Sequence, residues 1–452
     1  MIQLKPFVDI KINCPSCKNL IEVDDWKMTG MHAICSGSCK NCKRNFIQEL
    51  PVNAGLFYPG IVDEESGNRC DDLPFDNWYL NGFVKAFNSR SKEKVNIKII
   101  ENKPLGTGPL LLLNTIDATY GHALYELFNC SYYLTRREFE LVLIVQKDLL
   151  WLVPENIPHI WVVDISFGQA INWYEDLADK VKKLVENNSH VYLCRSFVQA
   201  DSSDFDIYDY SKIKPFPLEK WDELLTKPTV TFIWRTDRFW KRVLPKWIDN
   251  RISRRLFPSL LNRVRNWLQF QWVIRFSGAL KSSIPSVDFA IAGMDSRDFA
   301  LPKWIKDYRY EKHSDETARE QCQRYANSHL VVGCNGSSLL LPGCHAGAVV
   351  NIVPGDHWAV SAGTFAYRIT SVGDTHFRYQ MVPEEVPIQR IVKIMTSILR
   401  DRSYILLQTS SPWRDHNSDQ DSFAWSNFRL KAFKLLKYFK PDSGLITRPK
   451  SK

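Results

Sequence analysis

The thirty residues from 325 to 354, YANSHLVVGCNGSSLLLPGCHAGAVVNIVP, limit the fold more than any other stretch. Apolar runs at 329–332 and 348–353 carry no polar alternation and are bounded by Gly and Pro. Runs of that kind suit strands covered on both faces, as in a parallel sheet between helices. Between them lies a turn of small residues, Gly333-Cys-Asn335-Gly336-Ser337-Ser338, followed by a short helix. Backbone N–H groups and hydroxyls collected at such a turn offer donors to an anion such as a diphosphate. The same turn also serves any doubly wound domain as a tight connection, because small residues let helix and sheet approach.

The remainder of the chain repeats this rhythm. Residues 94–101 (KVNIKIIE), 109–114 (PLLLLN), 139–146 (FELVLIVQ), 160–165 (IWVVDI) and 191–197 read as strands, with helices at 123–134 and 173–187. A proline-marked crossover at 214–228 precedes new strands at 229–234 (TVTFIW) and 286–292 (SVDFAIA), and a helix at 388–400 closes the series. Strands alternating with helices predict an α/β fold of two Rossmann-like halves, 51–225 and 226–395, with a helical segment at 396–452. Within the first half, 51–95 reads as an irregular linker. Ligands of open parallel sheets bind at the carboxyl ends of strands. Arg235, Asp237, Asp295, Asn335, Gly336, Ser337 and Ser338 all fall at such ends.

Residues 1–50 have a different character. Cys14-Pro-Ser-Cys17 and Cys39-Lys-Asn-Cys42 are two knuckles that can close a tetrahedral Zn²⁺ site, so this segment reads as a structural zinc ribbon. Cys35 is a fifth candidate ligand, and a redox pair is the competing use of either motif. The first residues hold no signal-like apolar core, so the expected location is the cytosol, with the eleven cysteines reduced.

The formal net charge is +9, which favours anionic partners. Much of it sits in 235–275, an apparent insertion with eleven Lys or Arg against Asp237 and Asp249, interleaved with Trp240, Trp247, Trp267 and Trp272. Basic residues with Trp suit an anionic membrane surface. Nucleic acid phosphates are a second partner class, and a solvated basic face is the plain alternative. Residues 428–440 (FRLKAFKLLKYFK) read as another basic amphipathic helix. No run of 18 apolar residues predicts a membrane span.

Two segments resemble those of family 61 type glycosyltransferases. Thr119-Tyr-Gly-His122-Ala-Leu-Tyr-Glu126 is similar to the Tyr-x-His-x-x-x-(Asp/Glu) segment of that family's acceptor half. Cys334-Asn-Gly-Ser-Ser-Leu-Leu-Leu-Pro342 and the strand after it resemble its donor-side pattern, with Asn335 where the family usually has His. Arg235-Thr-Asp237 is similar to part of a fucosyltransferase segment whose Arg binds the donor diphosphate. The resemblance spans about 105–395 and implies a GT-B fold and transfer of a sugar from a nucleotide-diphosphate donor to a glycan or lipid-linked glycan at the cytosolic membrane face.

Such a transfer needs a base for the acceptor hydroxyl and positive stabilisation of the leaving diphosphate. Arg235 suits the diphosphate because a guanidinium matches phosphate oxygens in a fork. Asn335 to Ser338 add donors, and Asp237 and Asp295 suit the ribose. His122 is the leading base, with Asp117 and Glu126 as rivals. No Asp-x-Asp motif follows a strand, so no catalytic metal is expected. Nucleic-acid binding and a catalytically inactive GT-B scaffold are the other functional readings.

Overall fold

Continuous apolar strands need both faces covered, and the chain meets that need with two parallel-type sheets and their helices. A computed structural model describes residues 1–71, 78–196, 206–236, 238–240, 258–294, 299–355 and 378–402. All of these belong to one compact unit, Met1–Arg402.

The first α/β sheet has β1 (Ile2–Lys5), β7 (Ile97–Glu101), β8 (Leu110–Asn114), β9 (Glu140–Gln146), β10 (His159–Val163) and β11 (Val191–Leu193). Its order is β1-β11-β8-β9-β10-β7. The four central strands run parallel, and β1 and β7 are antiparallel edges. Its helices are α1 (Trp78–Asn88), α2 (Tyr120–Phe128), α3 (Cys130–Leu134) and α4 (Glu175–Leu184). Short helices α5 (Ile207–Ser211) and α6 (Trp221–Leu224) lead to the second half.

That half has β12 (Thr229–Trp234), β13 (Asp288–Met294), β14 (Ile305–Tyr310), β15 (Leu330–Cys334), β16 (Ala348–Val353) and β17 (Tyr379–Pro383). All neighbours are parallel, in the order β14-β13-β12-β15-β16-β17. Chain order therefore runs outward from β12 and reverses between β12 and β15. Every residue of β15 and β16 is buried, as their unbroken apolar sequences require. The connecting helices are α7 (Pro258–Ser283), α8 (Asp315–Ala326), α9 (Leu340–His345) and α10 (Ile388–Arg400).

The cysteine module is a five-stranded antiparallel sheet of β2 (Ile12–Asn13), β3 (Leu20–Met28), β4 (Ala33–Cys39), β5 (Asn45–Glu49) and β6 (Ile61–Asp63). It differs from the expected 1–50 segment in two ways. It runs on to Asp63, and β1 before it is already an edge strand of the first α/β sheet. The partner of β1 is the distant β11, so nothing local marks Ile2–Lys5 as part of that sheet. The irregular linker expected at 51–95 holds β6 and α1, whose Tyr79, Leu80, Phe83 and Phe87 are buried at helical spacing.

The basic 235–275 segment is likewise no simple insertion. Part of it lies outside the described residues, but α7 continues eight residues past its expected end and carries the chain from β12 to β13. Phe270, Val273, Phe276 and Leu280 recur every three or four residues on its buried side. Interleaved Arg and Trp hid that stripe in the sequence. Residues 428–440 lie outside the described residues.

One apolar cluster joins the two halves, taking Leu113, Leu124 and Phe128 from the first and Ile233, Val331 and Leu340 from the second. Polar contacts reinforce it. Arg319 on α8 donates to the carbonyls of Ser211 and Trp151. The buried His345 has Nδ1 2.8 Å from Leu341 O and Nε2 2.9 Å from Ser211 Oγ. With Nδ1 as the donor, Nε2 accepts from the hydroxyl, an arrangement that needs a neutral ring. His329 is also neutral in this arrangement, accepting the Thr229 amide at Nδ1 between the rings of Phe216 and Trp221.

Burial lowers both imidazoles from 6.5 to about 4. The unfolded chain therefore takes up protons before the folded one as pH falls. Stability from these groups is full above about pH 6.5 and declines toward pH 4, by up to ~1.4 kcal/mol per pH unit for each ring. Urea midpoints should fall between pH 7 and pH 5, and His345→Gln should flatten that slope.

Candidate functional site

The carboxyl ends of the two parallel sheets meet. In the first sheet, chain order reverses between β8 and β11, and the residues leaving β8 are Thr115, Ile116 and Asp117. The Asp117 amide donates to Gln146 Oε1 at 3.1 Å, and its Oδ1 accepts from Thr119 N at 2.6 Å. These bonds turn the chain into α2. His122 lies in the first turn of α2 with Nδ1 3.5 Å from Asp117 Oδ1. Its side chain is 32% exposed, whereas Asp117 is fully buried. The Trp78 ring packs beside it, with centroids 6.3 Å apart.

Glu126 lies one turn further along α2 and is fully buried, and neither carboxyl oxygen has a hydrogen-bond partner among the described residues. Burial, and then the Asp117 charge, raise its pKa well above the usual carboxylate range. Glu126 therefore holds its proton more tightly than a free carboxyl does. Fully enclosed, it has no exposed oxygen to offer an acceptor hydroxyl.

In the second sheet, β12 and β15 flank the reversal of chain order, and each ends in groups expected at the site. Arg235 follows β12 and donates from Nη1 to Ser338 Oγ at 3.0 Å. Arg238, which the sequence reading passed over, donates from Nη1 to Asn335 O at 3.1 Å. Gly336 lies beneath both at φ +132°, where a Cβ would come 2.9 Å from Arg235 Nη1 and 3.2 Å from Arg238 Nε. Only glycine allows both this backbone and two guanidinium groups so near. Gln269 of α7 fastens the loop after β12, donating to Arg235 O and accepting from Trp240 N. Asn335 is anchored by its amide to Ile352 O, and Asn351 donates to its side chain. Asp237 and Asp295 lie outside the described residues.

The two ends touch. Gly121, next to His122, packs on the turn so closely that a Cβ there would fall 2.5 Å from Ser337 Cβ. His122 and Asp117 thus lie on one side of this contact, and Arg235, Arg238 and Asn335 to Ser338 on the other. Arg238 could have been noticed from its place three residues after Arg235, in the same stretch that leaves β12. Near Gly336, the arrangement can bind an anion by charge and fork geometry. Near Asp117, it sets an imidazole beside a carboxyl group, at 3.5 Å and without a hydrogen bond between them.

The structure also gathers the four knuckle cysteines. Cys14, Cys17, Cys39 and Cys42 have all sulfurs within 4.8 Å of one another. Cys14 and Cys42 are 3.6 Å apart, and Cys17 and Cys39 are 3.4 Å apart. A tetrahedron with metal–sulfur bonds of about 2.3 Å has edges of about 3.8 Å, so the residues fit a metal ion. The knuckles match: Lys18 and Lys43 donate to Cys14 O and Cys39 O, at φ 59° and 62°. Asn41 and Asn19 groups lower the Cys17 thiol to about 5, whereas burial raises that of Cys14 to about 11. Cys35 is buried on β4 outside the cluster, and burial pushes its thiol to about 12.

No protein-family model matches the chain, and no curated protein does. Among solved structures, it is similar to TarM at 11% identity, over 90% of this chain and 76% of that one, with a TM-score of 0.23. A likeness of that size carries no argument about fold or activity. No helix among the described residues is long and apolar enough to cross a membrane.

Cys39→Ser should abolish metal binding by the purified protein, whereas Cys35→Ser should leave one ion per chain. Elemental analysis of both variants checks this.

Proposed function

We propose that the chain is a glycosyltransferase of the GT-B kind, moving a sugar from a nucleotide-diphosphate donor to a glycan or lipid-linked glycan. The observation that carries this reading is the contact between the strand ends of the two sheets, which we read as the two walls of one crevice, with two guanidinium groups over Gly336 on one wall and the Asp117–His122 pair on the other. The second sheet has the strand order of doubly wound nucleotide-binding folds, and its cationic wall lies where such folds hold their ligands.

In this reading Arg235 and Arg238 bind the donor diphosphate and offset the charge that develops as the sugar leaves. Ser338 holds the Arg235 fork, and Asn335 to Ser338 supply further donors. Asp117 orients His122 through Nδ1, leaving Nε2 to take the proton of the acceptor hydroxyl as the bond to the sugar forms. Glu126 lies buried behind them. The charge is managed by guanidinium groups, without a catalytic metal, and the four cysteines hold a structural Zn²⁺. Arg263, Trp267 and Arg275 on the exposed side of α7 suit contact with an anionic membrane at its cytosolic face.

A thermal-shift series with UDP, GDP, CDP, ADP and dTDP tests the donor site. One nucleotide at a hundred times its dissociation constant should stabilise the protein by about 2.7 kcal/mol. Arg235→Ala and Arg238→Ala should each reduce that shift. No shift from any nucleotide in the wild type would sink the reading. Once a donor is identified, His122→Ala should lower kcat by about 10²–10⁴-fold while leaving the nucleotide shift intact.

A further inference from the structure

The cysteine module reaches the crevice by the end opposite its metal site. β3 and β4 form a long hairpin with the knuckles at one end and residues 29–32 at the other. That far tip is fastened to the carboxyl end of the first sheet. Asn114, the last residue of β8, donates from Nδ2 to Gly30 O at 3.1 Å, and its Oδ1 accepts from Ile116 N in the chain leading to Asp117. Asn53, just after β5 in sequence, donates to Asn114 O at 3.1 Å and also bonds Ser196 beyond β11. Met31 N and Thr29 O bond the backbone at Ala170 and Tyr174.

A second path runs through a buried ionisable trio. His32 on the tip has Nδ1 2.6 Å from Glu49 Oε1, and the Tyr79 hydroxyl donates to the same oxygen at 2.7 Å. All three residues are buried. Tyr79 begins α1 beside Trp78, whose ring packs against His122. The segment 114–122 is thus held from the hairpin tip directly at Asn114 and indirectly through Glu49, Tyr79 and Trp78.

We propose that the cysteine module is a positioning element for the first wall of the crevice, so that metal occupancy at the knuckles governs the order of residues 114–122. Removing the ion leaves four mutually close thiols without the bond network that ties β2–β3 to β4–β5. The strain and fraying travel along one hairpin to its tip. There they release Asn114 and the Glu49–Tyr79 contact.

Hydrogen exchange on the full chain, followed by mass spectrometry before and after chelation, tests the proposal. Exchange should become at least tenfold faster in 29–37 and in 114–122, while 348–353 in β16 stays protected. Faster exchange confined to 11–50 overturns it and leaves the module a separate staple. If chelation unfolds the whole chain, Tyr79→Phe decides, because it deletes one bond of the path far from the thiols. That variant should keep one metal ion per chain yet exchange faster at 114–122, and unchanged exchange there overturns the proposal. Nucleotide stabilisation through Arg235 is read on the other wall. A failure here is therefore distinct from a failure of the donor reading.

Discussion

The close approach of Gly121 to Ser337 is the contact on which the crevice depends. Two parallel sheets can each offer a set of strand ends, but a joint site requires those ends to face each other within reach of one ligand. A side chain at residue 121 would wedge α2 away from the turn after β15. The apolar cluster shared by Leu124, Ile233 and Leu340 keeps the two halves pressed together around that point. Arg319, His345 and Ser211 add directional bonds that a sliding apolar interface lacks.

Charge is distributed between the walls in a chemically useful way. Arg235 and Arg238 bring two permanent cations to Gly336, where backbone rather than side chain lines the surface. Three buried acidic groups near the first sheet have different surroundings. Asp117 has a backbone donor and a neighbouring imidazole, Glu126 has burial and no partner among the described residues, and Glu49 has His32 and Tyr79. The same functional group is thereby placed in three unlike environments.

The legible parts of the sequence were those set by local chemistry. The spacing of Cys14, Cys17, Cys39 and Cys42 led directly to a cluster of thiols, and the unbroken apolar strands led to parallel sheets. Ala348–Val353 and Ile388–Arg400 have the bounds that their patterns suggested. The Asn335–Ser338 turn and Arg235 come together because each ends a strand beside the reversal of chain order. What stayed hidden depends on distant partners. β1 has meaning only beside β11, and Glu49, His32 and Tyr79 are ordinary surface types until the hairpin tip buries them. The upward pKa shift of Glu126 is likewise a product of enclosure, which spacing along α2 cannot reveal.

The pairing of Ile2 with Leu193 has a consequence for how the chain is built. The whole metal module and all the other strands of the first sheet lie between those two residues. A growing chain exposes β1 long before β11 exists, while β2 to β6 pair only with near neighbours and can form early. Local pairings close quickly and distant ones slowly. The metal-binding hairpin is therefore available as a folded object while the sheet beside it still lacks its edge, and the β1–β11 pair that joins the two must wait for the rest of the first sheet.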